Sequence, residues 1–232
     1  MKIFITVLCV LVIALAATTF LFYNTNQKTA KSLDDLSDTI DNLKVRADIL
    51  EKEKTVIANE LAAKIADISK EKEAEIARLK TTYDELVTGM KQEIEDGQVK
   101  ITRMADRLSV SMVDRILFPS GEADITPAGL KVLERVGKVL KNNTDKVIRV
   151  EGHTDNVSIK PALQKQFPTN WELSAARATN VVRFLQERVG VEPARLQAIG
   201  MSEFHPVASN ATASGQSLNR RIEINLVPET AK

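Results

Sequence analysis

Three short segments carry charge where a folded core would hold apolar side chains: Gly152-His153-Thr154-Asp155, the run Asn170-Trp171-Glu172-Leu173-Ser174-Ala175-Ala176-Arg177-Ala178, and Asn219-Arg220-Arg221. At about 100° per residue, Leu173, Ser174, Arg177, Val181, Phe184 and Leu185 share one stripe of a helix, so Arg177 joins the core-facing side. Its guanidinium is always charged and presents a planar fork of donors, so burial there demands an anion, either a nearby carboxylate or a bound ligand. Upstream, Ile148, Val150 and Gly152 alternate with Arg149, Glu151 and His153 as the two faces of a strand. Asp155 falls just past that strand's carboxyl end, where loops carry ligand sites, although an aspartate there also serves as a turn-former. Ile222, Ile224 and Leu226 make one face of a further strand, with Arg220 in phase before them. One aspartate and two arginines converging on one edge describe a pocket for a small charged ligand.

The elements that must position these residues begin near Met112, where Pro119, Gly121, Pro127, Gly129, Gly152 and Pro161 start to punctuate the chain. The pattern predicts an α+β domain over residues 112–232. A short strand is expected at Ile116–Phe118 and a helix from Thr126-Pro127 to about Leu140. A strand at Val147–Thr154 follows, then a loop holding Pro161 and Pro168. A helix over Trp171–Val189 and strands at Leu196–Met201 and Arg221–Val227 complete the domain. The order βαβαβ with one final strand implies a sandwich on a mixed sheet.

Before it, residues 25–111 read as a long helical stalk. Leu33, Leu36, Ile40, Leu43, Ala47, Leu50, Ile57 and Leu61 recur in steps of three and four, the seam of a coiled coil, with stutters near Leu61–Ile65 and Lys72–Ile76. The seam is expected to resume at Leu79, Tyr83, Leu86, Met90 and Ile94 and to continue through Ile101, Met104 and Leu108, with Gly89 and Gly97 as candidate bends. A parallel homodimer is the expected assembly. Residues 1–24 read as a membrane anchor. Ile3 to Tyr23 carries no charged residue, and a helix of that length spans roughly 31 Å, enough for a bilayer core. Ala14-Leu15-Ala16 keeps a cleaved signal peptide as the other reading.

Formal net charge is +1, which gives no global field for nucleic acid. A single cysteine, Cys9, rules out a disulfide framework. His153, Asp155 and Ser158 lie close in sequence, but their spacing matches no hydrolase or metal motif, so neither catalysis, a metal nor a cofactor is expected.

The charged segments, together with Phe118-Pro119-Ser120-Gly121 and Gly200, resemble the OmpA-like peptidoglycan-binding domain in its MotB-like branch, over roughly Arg115 to Pro228. The long insert between Asp155 and Asn170 and the Asn-Trp-Glu-Leu-Ser run mark that branch. The resemblance implies a pocket for the diaminopimelate residue of peptidoglycan stem peptides, whose side chain ends in an ammonium and a carboxylate on one carbon. Asp155 would take the ammonium and Arg177 the carboxylate through a bidentate fork. Arg220 would add a second cation near the ligand or bind the surroundings of Asp155, and Thr154, Asn170, Leu173 and Ser174 would shape the pocket. Asn170 or Thr169 would also cap the helix, Thr169 and Glu172 reading as a capping box. The chain would then be a single-pass protein of a bacterial inner membrane, with its C-terminal domain bound to peptidoglycan in the periplasm. The alternative is a MotB-like subunit of a flagellar-stator or secretion-type machine, working with a partner membrane protein. An intramembrane acid, which ion passage requires, is missing from Ile3–Tyr23, the first acid being Asp34.

Overall fold

The computed structural model describes residues 2–104 and 106–228, except for the side chains of residues 2–7 and 10. The chain divides into two units, residues 1–69 and 70–232. Helix α1 runs from Lys2 to Gly89. In the first unit its seam residues are open to solvent: Leu33, Leu36, Ile40, Leu43, Leu50, Ile57 and Leu61 are all exposed. Among the described residues no helix is long and apolar enough to cross a membrane. The anchor expected over residues 1–24 lies in part outside the described residues.

In the second unit the seam has another use. Leu79 and Leu86 of α1, and Met90 after it, are fully buried in the core of the unit, with Tyr83 and Ile94 packed against that core. Glu75 pairs with the buried Lys146, and Thr82 bonds Asn143 at 3.1 Å. The helical run does not continue to Leu108. It ends at Gly89, is followed by the short α2 (Lys91–Glu95), and turns at Gly97, whose φ of 66° a side chain would disfavour. Strands β1 (Val99–Arg103) and β2 (Leu108–Val113) then form an antiparallel pair. The strand expected at Ile116–Phe118 is instead a single helical turn, α3 (Asp114–Leu117).

The later elements match the sequence pattern: α4 (Pro127–Lys141), β3 (Lys146–His153), α5 (Asn170–Phe184, running on as a π-helical turn over Leu185–Val189) and β4 (Leu196–Ser202). A short α6 (Ala213–Asn219), not read from the sequence, precedes β5 (Arg221–Pro228). The sheet order is β1-β2-β5-β3-β4, antiparallel except for the β3/β4 pair. One face presents Val110, Met112, Ile148, Val150, Ile222 and Ile224 to a single apolar core shared with Leu133, Val136, Val181 and Leu185. The result is the mixed-sheet α+β domain, with its first strands displaced toward the N-terminus.

Two glycines decide how closely α5 lies on the sheet. Gly152 and Gly200 are register partners on β3 and β4. A Cβ on Gly152 would stand 2.2 Å from the carbonyl oxygen of Ser174, and one on Gly200 would stand 2.9 Å from the backbone of Ala175. Both obstacles are main chain and cannot rotate away, so α5 rests on bare backbone there and Arg177 follows less than a turn later. Gly152→Ala must therefore push the helix off the sheet. We expect a loss of about 3 kcal/mol, at the upper end for overpacking, read as a lower urea midpoint; an unchanged midpoint would refute this account of the packing.

Candidate functional site

Five segments meet around one cavity of about 350 Å³: the α3 turn, the Phe118–Gly121 loop, the residues after β3, the start of α5, and the α6–β5 junction. Four charged groups define it. Asp155 is buried just past β3, Arg177 is buried on α5, Asp114 is buried at the start of α3, and Arg220 is about one-third exposed before β5. Arg177 donates from Nη1 to Asp114 Oδ2 at 3.1 Å and from Nε to the carbonyl of Glu122 at 2.9 Å. Its Cζ lies 4.9 Å from the centroid of the Phe118 ring, a cation–π contact. Among the described residues its Nη2 has no hydrogen-bond partner. Arg220 donates from Nη1 to Asp155 Oδ2, and its Nε stands 3.6 Å from Asp114 Oδ1. Burial pushes the Asp114 carboxyl above the usual carboxylate range against the pull of Arg177 and Arg220. Burial likewise lowers the Arg177 guanidinium, with Asp114 opposing.

The carboxylate that Arg177 required is thus Asp114, which the sequence reading did not single out. Its signal was the alternation Leu108-Val110-Met112, a strand whose end delivers Asp114 to the sheet edge.

The loop carrying Asp155 is held firmly. Asp155 Oδ1 accepts from the backbone of Val157 at 3.1 Å. Asn170 Nδ2 reaches the carbonyls of Asp155 and Val157 at 3.3 and 3.1 Å and Glu203 Oε2 at 2.7 Å. Asn170 therefore braces the site from the first turn of α5, while the helix cap is Thr169, reciprocally bonded with Glu172 in a capping box. Thr154 lines the cavity, and its buried Oγ1 has no hydrogen-bond partner among the described residues. Leu173 lines the apolar side and packs with Ala123 and Phe167.

Ser174 is not among the residues lining the cavity. It is fully buried on the sheet-facing side of α5, where its Oγ accepts from the backbone N–H of Ser202 at 3.1 Å. Ser202, at φ 53°, in turn accepts from the N–H of Thr154 at 2.9 Å. Ser174 thereby fixes the level at which β3 releases Thr154 and Asp155.

The buried charges at the site, Asp114, Asp155 and Arg177, with the one-third exposed Arg220, sum to zero. Exposed Arg115 and Lys160 add positive charge at the rim. A ligand of a single sign would unbalance the interior, whereas one carrying both signs exchanges partners without stranding a charge.

Residues 117–220 match the OmpA family. The chain is 32% identical over 157 residues to Motility protein B of Bacillus subtilis, which covers 68% of this chain and 58% of that protein. It is 36% identical over 109 residues to the peptidoglycan-binding protein ArfA of Mycobacterium tuberculosis, covering 47% of this chain and 31% of that protein. The structure of the cell wall anchor of the T6SS from Pseudomonas aeruginosa is similar, with a TM-score of 0.56 at 32% identity, covering 62% of this chain and 97% of that one. The chain spans little more than half the length of the first curated relatives it matches.

Proposed function

Residues 117–220 belong to the OmpA family, with relatives of the MotB kind, and from that premise we propose that this domain binds peptidoglycan through the diaminopimelate residue of its stem peptides. The observation that carries the reading is the charge-neutral set Asp114, Asp155, Arg177 and Arg220 around one cavity. A diaminopimelate side chain carries one ammonium and one carboxylate. The ammonium replaces Arg220 at Asp155. The carboxylate takes the free Nη2 of Arg177 and the displaced Arg220. Thr154 Oγ1 gains a partner on the same event, and Leu173 packs on the methylene chain.

In this reading residues 1–24 anchor the chain in the inner membrane, and the helix after them is a stalk that pairs with a second copy along Leu33–Leu61. The wall-binding domain stands in the periplasm and holds peptidoglycan without cutting it. The likeness to Motility protein B and to a T6SS wall anchor supports a second reading, in which the same grip serves a membrane machine. A partner membrane protein that co-purifies with the chain distinguishes the two.

The test is co-sedimentation of the full chain in detergent with purified peptidoglycan. Wild type is expected to pellet with diaminopimelate-type wall, and Asp155→Ala and Arg177→Ala to stay in the supernatant. Wall whose third stem residue is lysine lacks the carboxylate. Binding should weaken there by roughly 2 kcal/mol, about thirtyfold, the worth of a charged hydrogen-bond pair. Equal pelleting of wild type and both variants would sink the proposal, and equal affinity for both walls would remove the diaminopimelate assignment.

A further inference from the structure

We propose that Glu151, His153 and Glu223 form a binding site for one divalent transition-metal ion of the zinc type, on the face of the sheet opposite the apolar core. In the β3/β5 ladder Glu151 lies directly opposite Glu223, and His153 opposite Arg221. Their neighbours Val150, Ile222 and Ile224 point into the core, so strand alternation puts all three candidate ligands on the other face. Two carboxylates directly opposite across an antiparallel pair repel each other, an arrangement that a cation between them relieves.

The second observation is independent of the acids. His153 is only 3% exposed, yet neither ring nitrogen has a hydrogen-bond partner among the described residues. Its Nε2 is 3.8 Å from Glu151 Oε2, too far for a hydrogen bond. Burying an imidazole with both nitrogens unmet is costly, and a ring nitrogen with a free lone pair is a preferred zinc ligand.

One donor atom from each residue lies within 4.8 Å of the others. A tetrahedral ion with bonds near 2.1 Å spaces its donors by about 3.4 Å, so small rotations of the two flexible glutamates close the set. Two carboxylates and a neutral imidazole offset a 2+ charge and leave a fourth position for water. Glu223 is already oriented for this, because Arg221 Nε donates to its Oε1 at 2.6 Å and, among the described residues, Oε2 is uncommitted. Arg221 is itself fixed by the carbonyl of His205 at 3.2 Å, and the His205 ring stands edge-on to His153 at 6.3 Å. Glu151 and Glu223 remain partly open, which gives the ion a way in. Bound there, it would clamp β3 to β5 two residues before Asp155. No linear motif announces the site, because Glu223 joins Glu151 and His153 only through the pairing of β5 with β3.

The experiment uses the full chain, stripped with EDTA and titrated with Zn²⁺ alone by calorimetry, and with Co²⁺ by visible absorption. One ion per chain is expected, with a rise in Tm and the intense bands of tetrahedral Co²⁺. Glu151→Gln and Glu223→Gln, both at partly exposed positions that keep their shape, should each weaken binding by at least about tenfold. Non-saturable uptake by the wild type, or unchanged affinity in both glutamine variants, overturns the site. Neither outcome depends on peptidoglycan binding.

Discussion

A fragment running from Met112 to Lys232 is expected to fail as a folded domain, whereas one starting at Lys70 is expected to unfold cooperatively. The shorter piece contains every motif that marks the family, so the sequence alone recommends it. It lacks β1 and all but the last residues of β2, together with the part of α1 that lies on the core. Leu79, Leu86, Met90, Val99, Leu108 and Val110 are all at most 4% exposed. Burying one such side chain contributes about 1.5–3 kcal/mol, so the six together are on the order of the whole stability of a domain, about 5–15 kcal/mol. Cutting at 112 also strips β5 of its β2 partner and bares the strand edge along Ile222–Leu226. The fragment should bind hydrophobic dyes, lose near-UV circular dichroism and aggregate. A cooperative urea transition for residues 112–232, with a midpoint near that of 70–232, would refute this account of the core.

The second large effect concerns Asp114. Asp114→Ala leaves the guanidinium of Arg177 buried and short of its only carboxylate partner within 4 Å among the described residues. Removing one member of a buried ion pair costs about 3–5 kcal/mol, because the survivor can neither reach water nor give up its proton. Arg177→Ala strands Asp114 less severely, since Arg220 stands 3.6 Å from its other oxygen. The two single variants should therefore differ in stability, with Asp114→Ala the worse. Replacing both residues by apolar ones of similar volume, Asp114→Leu with Arg177→Met, should recover most of the lost stability. That double variant should still bind no peptidoglycan if, as proposed, Arg177 supplies the fork for the ligand's carboxylate. Denaturant midpoints and co-sedimentation on the same four proteins separate the two roles. A double variant no more stable than Asp114→Ala alone would show that the pair is not what burial costs the fold. Wall binding retained by the double variant would show that Arg177 does not hold the ligand.

Much of the candidate site was legible from local pattern. The stripe Leu173-Arg177-Val181 placed an arginine inside, and Arg177 is 3% exposed. Thr169 and Glu172, three apart, announced the cap that starts α5, and the box is formed. Alternation along Ile148–Gly152 put Asp155 past the end of β3, where the cavity lies. The misreadings have a common cause. Leu79, Leu86 and Met90 recur at helical spacing whether a second helix or the chain's own sheet covers them, so periodicity names the element and not its partner. Ile101, Met104 and Leu108 continued the three-four rhythm by coincidence, although Leu108, Val110 and Met112 alternate as a strand. Two periods overlapped there, and only pairing with β5 decides between them.

The sequence by itself determined the long N-terminal helical run, α4 and α5 with their caps, the strands β3, β4 and β5, and the placing of Arg177 on the buried face of α5 and of Asp155 past a strand end. Those features depend on contacts a few residues apart. Tertiary structure alone decided that Asp114, 63 residues from Arg177, supplies its counter-charge. It also decided that Ser174 supports the site from beneath, and that Glu151 faces Glu223. Each of these is a meeting of side chains from distant strands and helices, fixed by sheet register and by how closely α5 lies on Gly152 and Gly200. No property of the residues taken in order encodes that distance.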